Sequence, residues 1–133
     1  MKLSVKSRYG IKVMIVLAEN YGNGTMTLGN IASVAGVTEP YLEKLLSLLK
    51  KATLVSSTRG ATGGYELTRS PMDISAGEIV RALEDGLEIV DCINGGCGEK
   101  GNCTAYAVWN KLYHAINDTL DGISLNSLIN EDR

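Results

Sequence analysis

Three cysteines within twelve residues carry the strongest chemical signal in this 133-residue sequence. Cys92, Cys97 and Cys103 are separated by four and five residues, and four glycines lie among them. These glycines would let the backbone fold around a bulky centre and direct amide N–H groups toward its sulfur atoms. Thiolates are ligands of iron–sulfur clusters, zinc and copper(I). An odd number of thiols does not fit a disulfide framework, so the spacing favours a metal centre or redox chemistry.

Zinc and thiol redox sensing remain alternatives to a cluster. Structural zinc sites usually have four ligands in closely spaced pairs, whereas this segment has three thiols and no nearby histidine. The single histidine, His114, lies eleven residues after Cys103, roughly 16 Å along a helix. We therefore expect no ligation by His114 within its own subunit. The sequence also lacks a phosphate-binding loop and a nucleophile motif, so we expect no enzyme.

The charged residues are divided unevenly along the chain. Residues 1–70 have a net charge of +5, whereas residues 71–133 have a net charge of −7. A basic part beside an acidic part is typical of a nucleic-acid-binding region joined to a non-binding one. The longest apolar run, residues 13–18, is too short to cross a membrane, and the first residues lack the apolar segment of a signal peptide. We therefore expect a cytoplasmic protein without a membrane partner.

The first part of the chain shows three helical patterns. Residues 8–20 are predicted to form a helix, with Tyr21 continuing its buried face. Two shorter helices follow, with Thr27 and Thr38 as their N-caps and Pro40 in the first turn of the second. A turn containing glycine joins them, which is the signature of a helix-turn-helix, although any antiparallel helix pair looks similar.

A β-hairpin is predicted directly after the helix-turn-helix. Residues 54–58 and residues 65–68 have strand character, and a glycine-rich tip joins them. A hairpin in this position makes a winged helix. Arg59 precedes Gly60 at the tip, where a guanidinium group can approach a phosphate or enter a minor groove.

The second part of the chain is predicted to contain two further helices and a final helical turn. Ser75 and Glu78 form a capping box at the start of the first, and Thr104 is the predicted cap of the second, which extends to about residue 120. Ser124 caps the final turn. An apolar stripe on the long helix is wider than a lone surface helix needs, which predicts a dimer contact. Its members are Ala105, Trp109, Leu112 and Ile116.

Four segments, taken in order, resemble the IscR/NsrR family of bacterial winged-helix iron–sulfur regulators. They are residues 1–9, residues 41–45, the hairpin at residues 54–65, and the cysteine segment with the helix around Trp109 that follows it. The resemblance covers nearly the whole chain. It implies a mostly α fold with a small β-hairpin and a long C-terminal dimerisation helix.

We therefore expect one compact domain with two functional regions. Residues 1–70 would form the winged helix-turn-helix, and residues 71–133 the connecting helix, the cysteine loop (91–103) and the dimerisation helix. The resemblance implies a homodimer that binds double-stranded DNA at a pseudo-palindromic operator. The candidate recognition residues are Thr38, Glu39, Tyr41 and Lys44, with Glu43 as an acceptor for cytosine, and Arg59 and Gly60 in the wing.

The resemblance also implies that Cys92, Cys97 and Cys103 hold an iron–sulfur cluster, most often 2Fe–2S and in some members 4Fe–4S. Its state would change which promoters are bound, in response to iron–sulfur supply, oxidative stress or nitric oxide. One alternative is a thiol- or zinc-based regulator without a cluster. Another is a small electron-transfer protein, which would not need a basic winged helix.

The fourth cluster ligand is the point at which this sequence departs from the family. The first cysteine gap is one residue shorter than in IscR, and Tyr106 stands where a histidine is expected. A phenol has a pKa of about 10 and must lose its proton to ligate iron. We expect the fourth position to be held weakly by an oxygen ligand, solvent or a small thiol, rather than by His114.

Overall fold

The computed structural model describes residues 3–87 and 104–129, so the three cysteines lie outside the described residues. The helices are α1 (Val5–Glu19), α2 (Leu28–Ala35), α3 (Glu39–Lys51), α4 (Ala76–Leu83), α5 (Tyr106–Asp121) and α6 (Leu125–Ile129). The strands are β1 (Val55–Thr58) and β2 (Gly64–Leu67), and a 3₁₀ turn covers Pro71–Asp73. This architecture confirms the predicted, mostly α fold with a small hairpin.

The helix-turn-helix is defined by local capping. The backbone N–H of Asn30 donates to the Thr27 hydroxyl at 3.2 Å, and that of Tyr41 donates to the Thr38 hydroxyl at 3.4 Å. Both predicted N-caps are therefore confirmed. Gly36 ends α2 in the left-handed region at φ 73°, a conformation that glycine adopts without steric cost. This cap sets the turn that leads into α3.

The wing is a two-stranded antiparallel sheet in which Val55 pairs with Leu67 and Thr58 with Gly64. It is attached to the segment before α2, because Met26 and Tyr65 exchange backbone hydrogen bonds of 2.9 and 2.8 Å. A side chain at position 64 would collide with the Met26 carbonyl, so glycine permits this close approach. The wing and the helix-turn-helix therefore form one packed unit.

The core is a single apolar cluster to which α1, α2, α3, α4, β1, β2 and α6 all contribute. Its largest fully buried side chains are Met14, Leu17, Ile31, Leu42, Leu45, Leu46, Leu49, Leu54, Ile74, Ile79, Leu83 and Leu125. Helix α5 contributes no buried residue. It is joined to α4 through the Arg81–Asp121 ion pair. None of the helices in the described ranges is long and apolar enough to span a membrane.

Three sequence predictions about helix ends are wrong. Helix α1 begins at Val5 instead of residue 8. Its first turn is held by Ser4 and Ser7, which donate hydrogen bonds to the distant Glu84. Tyr21 is 46% exposed, because α1 ends at Glu19 and the chain turns at Asn20, whose side-chain amide donates to the Gly24 carbonyl. Thr104 does not cap α5.

The start of α5 is instead set by backbone hydrogen bonds. The N–H groups of Val108 and Trp109 donate to the Ala105 carbonyl at 3.0 and 3.4 Å, and the N-cap residue Ala105 forms no side-chain cap. The other two predicted caps in this part are confirmed. Ser75 and Glu78 form a complete capping box, and the Ser127 N–H donates to the Ser124 hydroxyl at 3.2 Å.

Gly10 allows α1 to approach α4, and replacing it by alanine tests this packing. The added methyl group would collide with Cδ1 of the buried Leu83. Overpacking costs about 1–3 kcal/mol, which exceeds the gain of at most about 1 kcal/mol in helix propensity. Gly10→Ala should therefore lower the free energy of unfolding measured by urea denaturation. Gly29→Ala is the control: it is also helical but has open space around it, so it should not destabilise. A Gly10→Ala protein as stable as wild type would contradict this account.

Candidate nucleic-acid interface

Helix α3 has one buried and one exposed face. Its inner face consists of Leu42, Leu45, Leu46 and Leu49, all almost fully buried. Four of the predicted recognition residues, Thr38, Glu39, Glu43 and Lys44, are solvent-exposed. Burial of the apolar face fixes the direction in which the polar face points. The helix thus presents hydrogen-bonding groups of both charges to solvent, which suits contact with base edges.

Tyr41 differs from these four residues because it is half-buried and packs against the core. Its ring contacts that of Tyr9 edge to face, with 6.1 Å between the centroids. The Lys12 ammonium lies 5.2 Å from the centroid of the Tyr9 ring. The Tyr41 ring therefore packs the start of α3 against α1 through its contact with Tyr9.

Helix α3 is also connected to the wing by a contact that the sequence analysis did not identify. The Lys50 ammonium donates to the Ser57 hydroxyl in β1 at 2.8 Å. Between the two elements lies a cleft bordered by Glu43, Ser47 and Tyr65. Lys50 follows Glu43 by two helical turns, and this spacing could have placed it on the exposed face. The contact orients the wing relative to α3.

The wing tip presents Arg59 and Gly60 to solvent. Within residues 3–87 and 104–129, Arg59 forms no ion pair. The tip is held at its base by the Thr25 hydroxyl, which donates to the Thr62 carbonyl at 2.9 Å. A tethered tip with an unpaired guanidinium group can bind an anion with little loss of backbone entropy.

A second cleft lies on the other side of α3, where the first turn of α1 meets it. It is bordered by Lys6, Pro40, Glu43, Lys44, Ser47 and Leu48. Glu43 and Lys44 are predicted from the sequence, but Lys6 is not. No pattern within α1 indicates that Lys6 meets α3, because the contact is tertiary.

Glu84 anchors the first turn of α1. The backbone N–H and the hydroxyl of Ser4 donate to Glu84 Oε2 at 2.9 and 2.6 Å, and the Ser7 hydroxyl donates to the same oxygen. Burial raises the pKa of Glu84. The hydrogen bonds from both serines and the positive charge of Lys6 outweigh this effect and hold the pKa below its usual value. The carboxyl group is therefore ionised at neutral pH.

Two arginines, Arg69 and Arg81, are engaged in ion pairs. Nη2 of Arg69 lies 2.7 Å from Oε1 of Glu78, and Nη1 of Arg81 donates to Oδ1 of Asp121 at 2.9 Å. Burial raises the pKa of Glu78, but its hydrogen bonds from Ser75 and Arg69 and the charges of the arginines leave that pKa lowered. Each pair connects a residue of α4 to another segment of the chain.

The predicted dimer residues lie on α5 or, in the case of Ala105, at its N-cap, and α5 is largely solvent-accessible. Ala105 and Leu112 are exposed, Leu112 to 44%, while Trp109 and Ile116 are half-buried. Ala115, Ile116, Thr119 and Leu120 border a groove with Leu3, and its lining is almost entirely apolar. The single chain leaves this apolar surface uncovered.

The cysteines predicted to bind metal cannot be placed, because Cys92, Cys97 and Cys103 lie outside the described residues. Among residues 3–87 and 104–129, no group of three His, Cys, Asp or Glu side chains is arranged to hold a metal ion. His114 is exposed on α5 and contacts the Tyr113 ring edge to face at 5.5 Å.

A helix-turn-helix whose second helix exposes polar residues, followed by a wing with an exposed arginine at its tip, defines a winged-helix DNA-binding protein. The sequence profile of the Rrf2 family, described as "Iron-dependent Transcriptional regulator", matches residues 3–131. The chain belongs to this family and is a transcriptional regulator. The predicted resemblance is thereby confirmed.

Two named regulators are among the proteins to which this chain is similar. CymR of Bacillus subtilis is 39% identical over 128 residues, covering 96% of this chain and 89% of the relative. IscR of Klebsiella pneumoniae is 35% identical over 131 residues, covering 98% and 80%. Both are named HTH-type transcriptional regulators, which confirms the prediction of a regulator instead of an enzyme.

Solved structures of the same two regulators also resemble this chain. The structure of CymR (YrzC), titled the global cysteine regulator of B. subtilis, superimposes with a TM-score of 0.85 at 37% identity, covering 100% of this chain and 99% of that one. The structure of T. potens IscR gives 0.78 at 40% identity, covering 97% and 86%. The similarity therefore assigns this chain to the family, and it is comparable for CymR and for IscR.

Replacing Arg59 tests the wing. We expect Arg59→Ala to weaken binding to a duplex selected from a random-sequence library by the wild-type protein. The loss should be about 1–3 kcal/mol if Arg59 reads a base edge. A phosphate contact would instead weaken all sequences evenly and reduce the salt dependence by about one ion per subunit.

Arg59→Lys separates these roles, since lysine keeps the charge but not the planar two-pronged donor. Fluorescence anisotropy at two salt concentrations measures both quantities. Unchanged affinity of Arg59→Ala at both concentrations would show that the wing tip does not contact DNA.

Proposed function

We propose that this transcriptional regulator binds its operator under the control of an iron–sulfur cluster held by Cys92, Cys97 and Cys103. The observation that carries the proposal is the placement of three thiols within twelve residues, between α4 and α5. The description of the family as iron-dependent supports it. The cluster is most simply 2Fe–2S, with 4Fe–4S as the other form.

The donor set fits such a group chemically. Three thiolates are soft ligands suited to iron, and the intervening glycines leave backbone N–H groups free to donate to sulfur. When bound, the cluster supplies a redox-active centre that oxidants or nitric oxide can attack. Three thiolates leave one iron position for a weaker ligand, and such a site suits a sensor because it loses its cluster readily.

The protein's own contacts indicate how this segment is connected to the DNA-binding surface. Helix α4 precedes the cysteines and packs against both α1 and α3. Helix α5 follows them and packs against α4. A change in the cysteine segment would therefore act on α5 and on α4, and α4 packs directly against α3, the proposed recognition helix.

On the DNA, we place α3 in the major groove and the wing tip against the backbone or minor groove. Thr38, Glu39, Tyr41, Glu43 and Lys44 are the proposed contacts of α3, and Arg59 and Gly60 those of the wing. Exposure supports all of these assignments except that of Tyr41, whose ring is partly occupied by its contact with Tyr9.

We propose a homodimer formed through Ala105, Trp109, Leu112 and Ile116. The support is that α5 is sixteen residues long, has no buried side chain and adjoins an apolar groove. An apolar helix face of this length is stabilised by contact with a second copy. Two-fold symmetry would match a pseudo-palindromic operator.

A thiol-based regulator without a cluster is the second candidate. It is favoured by the 39% identity to CymR and by Tyr106 in the position where the IscR/NsrR resemblance predicts histidine. The cysteines would then respond by oxidation alone.

The cluster proposal is tested by anaerobic purification with iron and sulfide assays. The protein should be coloured, contain iron and sulfide, and lose both in Cys97→Ala. His114→Ala is the matched control and should retain the cluster, as should Tyr106→Phe. Tyr106→His should bind the cluster more tightly, with a spectrum shifted by nitrogen ligation.

Three results would contradict this account. Colourless protein with stoichiometric zinc and no sulfide would exclude the cluster, and colourless protein with no metal would favour the thiol-based regulator. Loss of the cluster in His114→Ala, with the protein still folded, would show that the fourth ligand is this histidine, reaching in from a partner chain.

The dimer is tested by placing charge on the apolar face of α5. Leu112→Lys with Ile116→Lys should give monomers in analytical ultracentrifugation, because burying two lysines at the contact is unfavourable. Asp118→Lys is the control: this residue is exposed and lies on a different side of α5. It should stay dimeric. A dimeric Leu112→Lys/Ile116→Lys protein would place the interface elsewhere.

A further inference from the structure

The first turn of α1 is bound from one side and borders the recognition helix on the other. Three donors from Ser4 and Ser7 converge on one oxygen of Glu84, which immediately follows α4. These residues are up to eighty positions apart in sequence. Such convergence fixes the position and direction of the helix start more firmly than a single local cap does.

Lys6 lies between these two serines in the same turn. It is half-buried and borders the cleft that also contains Pro40, Glu43 and Lys44 of α3. Within the described ranges its ammonium forms no ion pair, although Glu84 is close enough to be influenced by its charge. The cationic group is thus held near α3 without being neutralised by direct contact.

We propose that Lys6 binds a DNA backbone phosphate beside the major-groove contacts of α3, and that Glu84 is the residue that positions it there. The inference rests on the proposed placement of α3 on DNA. Lys6 and Lys44 border one cleft beside α3, and a helix lying in the major groove has phosphates along both flanks. Glu43 faces the same cleft, so Lys6 also offsets the charge of Glu43 near the DNA.

The positioning role of Glu84 predicts an effect of unusual sign. Removing a negative charge from a DNA-binding protein ordinarily strengthens its affinity, because repulsion of the phosphates is relieved. If Glu84 holds Lys6 in place, Glu84→Gln should instead weaken binding. Asp85 is the matched control, since it is adjacent and exposed, and Asp85→Asn removes the same charge.

The experiment measures anisotropy of a fluorescent 30-base-pair duplex, selected from a random-sequence library by the wild-type protein, at 50 and 200 mM salt. Lys6→Ala should weaken binding and reduce the salt dependence by about 0.9 per bound subunit. Its loss of affinity should therefore be about 3.5-fold larger at 50 mM than at 200 mM, per subunit. Lys111→Ala, an exposed lysine on α5, should change neither quantity.

Glu84→Gln should also bind more weakly than wild type, and the double variant Lys6→Ala/Glu84→Gln no more weakly than Lys6→Ala alone. Non-additivity is required because Glu84 acts through Lys6. If Glu84→Gln is not folded by circular dichroism, Ser7→Ala replaces it, since this change removes one of the donors to the same oxygen.

Wild-type affinity of Lys6→Ala at both salt concentrations would overturn the inference, as would tighter binding by Glu84→Gln that matches Asp85→Asn. If Arg59→Ala weakens binding in the same assay while Lys6→Ala does not, only this inference fails. If the wild-type protein selects no duplex, the proposed operator binding itself fails.

Discussion

The close approach of α1 to α4 is the contact on which the arrangement of this protein depends. It requires glycine at position 10, because any side chain there would occupy the space of Leu83. Through this contact the winged helix is packed against the helix that leads into the cysteine segment. Helix α1 also packs against α2, α6 and β2, so it lies at the centre of the core. A shift of α4 would therefore displace α1 and, through α1, the helices and the strand packed against it.

Local interactions explain why much of this fold is predictable from sequence. The N-caps at Thr27 and Thr38 depend on residues three positions apart, and so does the capping box of Ser75 and Glu78. The apolar repeat of α3 determines both its buried leucines and, by exclusion, its polar face. The exposure of Glu43 and Lys44 follows from the same periodicity, so the polar face of α3 is predictable from sequence.

Contacts between distant residues explain what the sequence did not show. Helix α1 begins early where its first turn binds Glu84, and no residue near Ser4 signals that partner. The Lys50–Ser57 hydrogen bond depends on how the wing folds back toward α3. Backbone geometry, instead of a side-chain cap at Thr104, decides where α5 begins. The proposed cysteine site rests on residue spacing alone, because Cys92, Cys97 and Cys103 lie outside the described residues.

The structure shows which cations of the chain are paired and where the unpaired ones lie. Net charge treats every cation alike, but Arg69 and Arg81 are paired with carboxylates in the region of α4. Lys6, Lys44 and Arg59, by contrast, form no ion pair within residues 3–87 and 104–129. They lie at the start of α1, on α3 and at the wing tip, so these three cations lie on α3 or on elements beside it. It is this distribution, more than the excess of +5 over residues 1–70, that makes one face of the protein suited to DNA.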